Sequence, residues 1–399
     1  MSRILDEARR VLALPGGQHV PWLRWSLHRA RLDSSPVQLP IRPGRGRRFV
    51  FITVKGRIMA SQIFPFFYYQ RQLWERWGIS FEEIPLERFL ANPRRFTGPA
   101  DTVCVQTWFD LTPVQTDELA ATIRRTFLGA RLVYLDWFAP TDLRLAEQLE
   151  PVIDLYIKKH IFRDLRAYGV ATYGDTNLVD HFGKHFDLQH EERLYPVSEA
   201  FLDKLMLGPT FNTSPRLWPG LSRSVPRQGD RPIDLHARLG SRPTEDGWYS
   251  HMRGEAVEKV RSLRGLNVAH GGFVSSFRFL RELAMCKVCF SPFGFGEVCW
   301  RDYEAVMSGA LLLKPDMSAV ETRPDIFVAG ETYVSLEWDL SDFEEKLSFY
   351  LEHRDEREAI SRRAFEVLRD YVRQDGFLEQ MAPLFEPGTF AAMRKPEPS

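Results

Sequence analysis

Apolar strand-like runs and amphipathic helical runs alternate through most of this chain from Arg47 onward. The strand-like runs of the first half are RFVFITV, ISFEEI, DTVCVQ, RLVYLD and VIDLYI. Those of the second half are IDLHARLG, LNVAHGG, KVCFSP, ALLLKP and YVSLEW. Strands that alternate with helices form mostly parallel sheets covered by helices on both faces. The alternation therefore predicts an α/β protein built from two Rossmann-like domains.

A stretch rich in proline, glycine, serine and arginine interrupts this alternation between Gly208 and Pro232. Such a composition without hydrophobic periodicity is typical of a linker. The length of 399 residues also suits two domains, each with its own core. The predicted organisation is a first domain with an N-terminal helical extension over 1–208, a linker over 209–231, a second domain over 232–385 and a loose tail over 386–399. The helices predicted near the C-terminus should pack on the flank of the second domain.

The segment from Ser291 to Pro315 holds the residues that point most directly to a function. Its sequence, SPFGFGEVCWRDYEAVMSGALLLKP, predicts a helix that follows the strand KVCFSP and ends at Gly309. Gly294 and Gly296 lie at the mouth of that strand, where glycine allows a positive φ and lets a ligand approach the backbone. The first N–H groups of the helix favour a phosphate at the same place. The turn is therefore a candidate phosphate site.

Glu297, Arg301 and Glu304 follow this turn at steps of four and three residues, which predicts that all three share one helical stripe. An arginine can donate to diphosphate oxygens, and a carboxylate one turn later can accept from the hydroxyls of a ribose. Alternatively, Glu297 and Arg301 form an ordinary ion pair on a surface helix. The position at the carboxyl end of a buried strand favours a nucleotide site, because open α/β sheets bind ligands at that edge.

The same segment resembles the donor-binding half of the GT-B glycosyltransferases, and most closely their group 1 and exostosin-like members. In those enzymes a glycine-rich loop leads to a helix with the pattern R-x-x-E-A, then to a small-residue turn and an apolar strand that ends in proline. The likeness continues to about residue 368 and covers about a third of the chain. Many retaining members space their two glutamates by eight positions, whereas seven separate Glu297 and Glu304. The matching positions are Arg301, Glu304, Ala305, Gly309 and Pro315.

This resemblance implies a GT-B fold, in which two Rossmann-like domains face a cleft. It implies transfer of a sugar from a nucleotide diphosphate-sugar donor to a carbohydrate or glycoconjugate hydroxyl, without a metal ion or a further cofactor. The second domain would bind the donor and the first the acceptor. Arg238, Arg301 and the backbone of Gly294 and Gly296 would neutralise the leaving diphosphate, and Glu304 would hold the ribose. Arg301 and Glu297 thereby become candidate catalytic residues.

Arg238 enters this set because it follows the first strand of the second domain, in HARLGSRP. In the resembled family that loop often carries a basic residue that reaches the donor diphosphate. The alternative is an ordinary solvated arginine in a loop.

Asp136 is the candidate catalytic acid or base of the first domain. It ends the strand RLVYLD and precedes Trp137, which could stack on a sugar ring while Asp136 removes the proton of a hydroxyl. The alternative is that Asp136 only caps the next helix. Asp110, which follows another strand, and His181 are further candidates, and Lys55 and Arg57 in VKGR could hold an anionic acceptor or a phosphate.

The charge balance bears on the choice of partners. Basic and acidic residues number 53 each, so no global positive field is present to attract nucleic acid. No apolar run reaches the length of a membrane span, and the N-terminal segment lacks a signal-peptide core, which predicts a cytoplasmic protein with peripheral membrane contact left open. Cys286 and Cys289 lie in an apolar run and are interpreted as buried thiols, and no metal site is predicted.

Three other functions fit parts of the pattern. A nucleotide-sugar epimerase on the same scaffold would convert the donor without an acceptor. A dinucleotide-dependent oxidoreductase is suggested by the two glycines before a helix and by Asp316, twenty residues after Gly296, but Cys299 occupies the third glycine position of that fingerprint. A non-catalytic carbohydrate-binding protein would bind a nucleotide without turnover. The sequence favours a glycosyltransferase over all three.

Overall fold

The computed structural model describes residues 46–215, 217–218, 226, 230–240 and 247–386, together with Trp25, Ser26, His28 and Arg29. The predicted N-terminal helix, about half of the predicted linker and nearly all of the predicted tail lie outside these residues.

The first domain is built on a six-stranded sheet whose neighbouring strands all run parallel. Its strands are β1 (Arg47–Thr53), β2 (Ile79–Pro85), β3 (Thr102–Val105), β4 (Arg131–Asp136), β5 (Leu155–Lys158) and, after three short strands, β9 (Leu205–Leu207), in the order β2-β1-β3-β4-β5-β9. The short strands are β6 (Ile161–Phe162), β7 (Thr172–Tyr173) and β8 (Glu192–Arg193). Helices span Arg57–Tyr68, Gln70–Trp77, Leu86–Ala91, Pro113–Thr126, Ala146–Leu149, Asn177–His185 and Glu199–Leu202.

The second domain carries a five-stranded parallel sheet in the order β11-β10-β12-β13-β15. The strands of this half are β10 (Ile233–Ala237), β11 (Val268–His270), β12 (Cys286–Phe290), β13 (Leu311–Pro315), β14 (Val320–Glu321) and β15 (Val334–Leu336). Its helices span Trp248–Ser262, Ser276–Met285, Trp300–Ser308, Phe343–Glu352, Arg354–Arg373, Gly376–Gln380 and Ala382–Phe385. Two doubly covered parallel sheets confirm the predicted fold class.

Burial along the strands explains why the alternation was a reliable signal. Phe49, Val50, Phe51 and Ile52 of β1 are all fully buried, so both faces of the strand lie against side chains of the core. A continuous apolar run is what a parallel strand between two helical layers requires. Among the described residues, none of the helices combines the length and apolarity needed to cross a lipid bilayer.

The two domains contact each other through several elements. Strand β6 pairs with β14 in antiparallel orientation, which joins the halves by backbone hydrogen bonds. On the helix Asn177–His185 of the first half, the ring of Phe182 stacks on those of Trp248 and Trp338 in the second. The two domains are therefore joined by direct contacts as well as by the linker.

The end of the chain corrects one expectation. The helix Phe343–Glu352 packs on the second sheet as predicted, but the last described segment, 376–386, returns to the first domain. There the ring of Phe377 stacks on Tyr69 at 5.5 Å, and the rings of Phe385 and Trp77 lie 4.9 Å apart. The apolar faces of these short helices thus complete the core of the first domain.

Candidate active site

A cavity of about 220 Å³ lies at the carboxyl edge of the second sheet. It is bounded by the loops that follow β10 and β11 and by the helix Trp300–Ser308, which we call the motif helix. Its lining includes Arg238, Gly240, Gly272, Phe273, Arg301 and Glu304. A larger depression of about 430 Å³ is lined by Glu150, Lys204 and others near the amino ends of β5 and β9, the edge where such sheets do not bind ligands.

Arg301 and Glu304 lie together at this cavity, as the sequence predicted. Nη2 of Arg301 donates to the backbone carbonyl of Arg238 at 2.6 Å, which fixes the guanidinium beside the loop after β10. Its Nε is buried without a hydrogen-bond partner among the described residues. Glu304 is 6% exposed, so its carboxylate lies at the floor of the cavity rather than in solvent.

Arg238 lines the cavity, but its side chain is already engaged. Nε and Nη2 donate to the two carboxylate oxygens of Glu282 at 2.6 and 2.8 Å, and Nη1 donates to the carbonyl of His270. Hydrogen bonds from Arg238 lower the pKa of Glu282 to about 2, so the pair is charged at neutral pH. Arg238 therefore holds the loops after β10 and β11 together, and the predicted contact with a diphosphate would have to compete with Glu282.

The start of the motif helix differs from the prediction. The helix begins at Trp300 with Cys299 as its N-cap, so Glu297 lies in the preceding loop and shares no helical stripe with Arg301 and Glu304. The predicted end is confirmed, because Gly309 caps the helix in the left-handed conformation with φ of 71°. A Cys299–Asp302 capping box sets the start, and the sequence analysis did not recognise this signal.

Asp302 anchors this start from the interior. Its carboxylate accepts from the Cys299 N–H at 2.7 Å and from the Ser291 hydroxyl at 2.5 Å, and Lys314 Nζ lies 3.2 Å away. These contacts join the end of β12, the motif helix and β13 in the second domain. Asp302 is thus a structural residue that positions Arg301 and Glu304.

Gly294 and Gly296 also act differently from the prediction. Neither has a φ in the left-handed region, and the N–H of Gly294 donates to the carbonyl of Gly296 at 3.1 Å. A Cβ on Gly296 would lie 1.9 Å from the carbonyl oxygen of Ala139 in the first domain. The second glycine is therefore required by the close contact of the two domains, and the N–H of the first is already used within the loop.

Asp136, the predicted catalytic base, has both carboxylate oxygens occupied by hydrogen bonds from neighbouring residues. One carboxylate oxygen accepts from the Phe138 N–H, and the other accepts from Tyr156 and from Lys158 Nζ at 2.6 Å. Burial alone would raise the pKa of Asp136, but Lys158 and the hydrogen bonds lower it overall. Since donors of its own domain occupy both oxygens of this buried carboxylate, neither is available to an acceptor hydroxyl, and the geometry argues against the predicted role.

The residues that follow β5 present a different arrangement. Lys159 and His160 are buried against the loop of Glu297, and 3.5 Å separates His160 Nε2 from a Glu297 carboxylate oxygen. Lys159 Nζ has no hydrogen-bond partner among the described residues, whereas His160 and Glu297 face each other at this long distance. Burial alone would raise the pKa of Glu297, but the contact with His160 lowers it overall. Burial lowers the pKa of His160 to about 4, so its imidazole is neutral at physiological pH. Polar groups from both domains thus converge in a buried place, where His160 of the first domain faces Glu297 of the second.

Arg253 is a further residue that the sequence analysis missed. It lies on the helix Trp248–Ser262 with 7% exposure, and its Nε and Nη1 have no hydrogen-bond partner within the described ranges. Its guanidinium lies 5.4 Å from the ring centroid of Tyr249 and interacts electrostatically with Arg301. An arginine within an amphipathic helix is expected on the exposed face, so nothing in the sequence indicated that Arg253 is buried.

The remaining candidates are spread over the first half. Lys55, Arg57 and Asp110 are exposed near the carboxyl ends of β1 and β3, the edge of the sheet that also carries Lys159 and His160. His181 lies at the domain contact, with its ring centroid 4.9 Å from that of Trp338. The described residues contain no cluster of three histidine, cysteine or acidic side chains arranged for a metal ion.

The predicted thiols are found buried and free. Cys286 and Cys289 both have no exposed surface, and no disulfide forms between the described cysteines. Burial raises the pKa of Cys289 to about 12, so this thiol is protonated and unreactive at neutral pH.

Comparison with known proteins identifies the class of protein to which this chain is similar. Residues 223–380 match a family described as glycosyl transferase-like, and this range contains the whole cavity and the motif helix. No curated protein sequence matches the chain. The match confirms the recognition made from the motif: the second domain is of the glycosyl transferase-like family, and the chain is a glycosyltransferase. Its two parallel-sheet domains are the GT-B arrangement, while an exostosin-like subtype stays a prediction.

Several solved structures are similar over most of this chain. An alpha-glucosyltransferase in complex with UDP-glucose and DNA containing an abasic site has 10% identity and a TM-score of 0.48, covering 86% of this chain and 100% of that one. A glycosyltransferase from Rickettsia africae ESF-5 has 9% identity and a TM-score of 0.44, covering 88% and 100%. TarM has 10% identity and a TM-score of 0.41, covering 71% and 54%. At these values the likeness assigns no role to any residue.

Proposed function

We propose that this enzyme transfers a sugar from a nucleotide diphosphate-sugar donor to a hydroxyl of a carbohydrate or glycoconjugate. The observation that carries the proposal is the cavity that brings Arg301 and Glu304 together with the loops of Gly240 and Gly272 at the carboxyl edge of the second sheet. An arginine, a buried carboxylate and open backbone turns are the groups that a nucleoside diphosphate requires.

The nucleotide would lie along this cavity. Phe273 is 97% exposed at its rim and offers a flat apolar face to a nucleobase. Glu304 would accept hydrogen bonds from the ribose hydroxyls, and Arg301 would donate to the diphosphate. Arg238 would support the site indirectly, since its carbonyl holds Arg301 and its side chain holds Glu282.

The transferred sugar would extend from the diphosphate towards Glu297 and His160. Their polar atoms, which face each other at 3.5 Å, match the alternating donors and acceptors of sugar hydroxyls. Because Glu297 has no exposed surface, the motif loop (residues 293–299) must separate from the first domain to admit a sugar. Return of this contact would exclude the water that otherwise hydrolyses the donor.

The acceptor would bind at the carboxyl edge of the first sheet. Trp108 and Phe109 are exposed there, and their rings contact those of Trp137 and Phe138. Exposed aromatic faces at a cleft suit the apolar faces of sugar rings. In place of the buried Asp136, the exposed Asp110 is the acid that we propose for work on the acceptor hydroxyl.

Charge on the leaving diphosphate would be neutralised by guanidinium groups, which is the basis for proposing a metal-independent reaction. A chelator would then leave the transfer rate unchanged. A rate that falls with chelator and recovers with a divalent ion would overturn this part of the proposal.

The donor site is tested by calorimetric titration with UDP, GDP, ADP and NAD. Loss of a charge-assisted hydrogen bond weakens the free energy of binding by about 1.5–3 kcal/mol. Arg301→Ala and Glu304→Ala should therefore weaken nucleoside diphosphate binding about 10- to 100-fold. Arg362→Ala, on an exposed position of the helix Arg354–Arg373, serves as the control and should bind as the unchanged protein does. Tight binding of NAD alone would overturn the proposal.

An activity measurement separates transfer from epimerisation. The enzyme is incubated with the nucleotide-sugar whose nucleoside diphosphate binds, with and without a panel of glycan acceptors. Release of the nucleoside diphosphate that depends on the acceptor supports transfer. Conversion of the donor sugar to its epimer without an acceptor would support the epimerase instead.

A further inference from the structure

Two buried cations, one from each domain, carry nitrogen atoms without a hydrogen-bond partner among the described residues. Lys159 follows β5 in the first domain with 1% exposure, and its Nζ lies 4.5 Å from the ring centroid of Phe211. Arg253, in the second domain, is similarly buried and leaves two of its guanidinium nitrogens unpaired. A buried charge without a partner is strongly unfavourable, so such groups are rare unless something else compensates them.

Both cations converge on the start of the motif helix. The ring of Tyr249, which lies 5.4 Å from the Arg253 guanidinium, stacks at 4.1 Å on Phe295 of the motif loop, just before that helix. The ring of Phe211 beneath Lys159 stacks at 4.7 Å on Trp300, the first helical residue. Arg253 in addition interacts with Arg301. We call Lys159, Arg253 and Arg301 the interdomain cation cluster.

The acids around this cluster do not neutralise it. Lys159 is influenced by Asp136, but Lys158 already pairs with that carboxylate at 2.6 Å. Glu297 also acts on Lys159, and Glu304 lies beside Arg301 at the cavity, so two carboxylates stand against three basic side chains. The N-terminal N–H groups of a nine-residue helix add further positive character. The site therefore has an excess of positive charge that an anion with more than one negative charge would balance.

We propose that the interdomain cation cluster is the binding site of the donor diphosphate, with Lys159 of the first domain as one of its direct ligands. This inference rests on the proposed function and assigns two residues that the motif did not contain. It makes donor binding a contact between both domains, because the phosphates are held by Lys159 from one side and by Arg253 and Arg301 from the other. The second domain alone would then bind the nucleotide without the contact between Lys159 and its diphosphate.

Lys159 also provides a signature that a structural role would not produce. Burial, followed by the charge of Lys158, lowers the pKa of Lys159 to about 7, while Asp136, Cys299 and Glu297 act in the opposite direction. At pH 8 the amine is therefore mostly neutral in the unliganded protein. A diphosphate beside it favours the ammonium form, so binding at pH 8 takes up a proton.

The test is calorimetric titration at pH 8 in two buffers with different ionisation enthalpies. The probes are UDP, GDP and ADP, the matching nucleosides, and inorganic pyrophosphate. We expect Lys159→Met and Arg253→Gln to weaken the nucleoside diphosphate about 10- to 100-fold and to leave the nucleoside nearly unaffected. Lys159→Met should also abolish the buffer-dependent part of the binding enthalpy, whereas Lys159→Arg should retain most of the affinity without the proton uptake.

Lys184→Met, at an exposed position on the helix Asn177–His185, is the matched control and should change neither affinity nor proton uptake. The thermal unfolding temperature of each variant establishes that it is folded. If the unchanged protein binds no nucleoside diphosphate, the proposed function and this inference both fail. If it binds one, and Lys159→Met and Arg253→Gln bind it equally well, the inference fails and the proposed function stands.

Discussion

Lys158 and Lys159 are neighbours at the end of one strand and are equally buried, yet their surroundings differ completely. Lys158 Nζ lies 2.6 Å from Asp136, whose remaining hydrogen bonds are made by Tyr156 and the Phe138 N–H. Lys159 has the ring of Phe211 below it and lacks a hydrogen-bond partner in the described part of the chain. Successive side chains of a strand point to opposite faces, so adjacent lysines enter two different environments.

The two acids repeat the contrast. Both oxygens of Asp136 are occupied by donors from its own domain, whereas Glu297 has only the long contact of 3.5 Å with His160 and makes no close hydrogen bond to a described residue. A buried ionic group with every hydrogen bond made contributes to the fold, and one with open positions is available to a ligand. The difference separates the structural residues of this cleft from those that we assign to binding, although all are equally hidden.

The largest effect expected from this contrast is on stability. Lys158→Met removes one partner of a buried ion pair and leaves Asp136 uncompensated, which should lower the free energy of unfolding by about 3–5 kcal/mol. Lys159→Met instead removes an unpaired charge and should leave the unfolding temperature unchanged or raise it. Thermal unfolding monitored by circular dichroism checks both. Equal losses in the two variants would show that the lysines are not distinguished in this way.

A second effect concerns acid stability. His160 is neutral in the fold, with a pKa lowered by burial from 6.5 to about 4, so the unfolded chain binds a proton that the folded chain rejects. The contribution of neutral His160 to the free energy of unfolding is complete above pH 6.5 and is lost as the pH falls towards 4. At about 1.4 kcal/mol per pKa unit, the loss is on the order of 3 kcal/mol.

The matched variant is His160→Gln, which cannot titrate. Its free energy of unfolding, measured by urea denaturation between pH 7 and pH 4, should fall less steeply than that of the unchanged protein. The neighbouring charges of Lys158, Lys159 and Glu297 remain in both proteins, so the difference between the two curves isolates His160. Parallel curves would mean that the imidazole is charged in the fold.

The smallest effect is expected from Gly296→Ala. The new methyl group would lie 1.9 Å from the Ala139 carbonyl oxygen and force the motif loop away from the first domain, with a stability loss of about 1–3 kcal/mol. The Lys158–Asp136 pair lies wholly in the first domain and should be unaffected. Only Lys159, His160 and Glu297, which lie where the two domains meet, should be disturbed. Hydrogen exchange of the motif loop, compared with that of β4 and β5, checks this. Increased exchange in both regions would contradict it.

The sequence predicted those parts of the fold that depend on local pattern. Apolar runs located five strands of the first sheet and the five of the second, and Gly309 located the end of the motif helix, because each signal lies within one turn or one strand. The short strand β9 was not recognised, since three residues are too few to show a pattern. The pairing of Arg301 with Glu304 at one cavity was also predictable, since a step of three residues places two side chains on one helical face. These are the features that short-range geometry determines.

The remaining site residues depend on contacts between distant parts of the chain. Arg238 is engaged by Glu282, which is 44 positions away, and Asp136 by Lys158, which is 22 positions away. Neither pairing has a local signature, so both residues were predicted to be available. Conversely, Lys159 and Arg253 read as surface charges, because lysine and arginine are seldom buried. Only the approach of the two domains shows that they are enclosed.

The return of the segment 376–386 to the first domain has a consequence for how the protein is made. Phe377 and Phe385, supplied near the C-terminus, cover aromatic side chains on the helix Arg57–Tyr68 and its neighbours. During synthesis, the half that leaves the ribosome first must therefore keep this face exposed until residues 376–386 have been translated. A fragment comprising the first half alone would display that face to other molecules and be prone to aggregate.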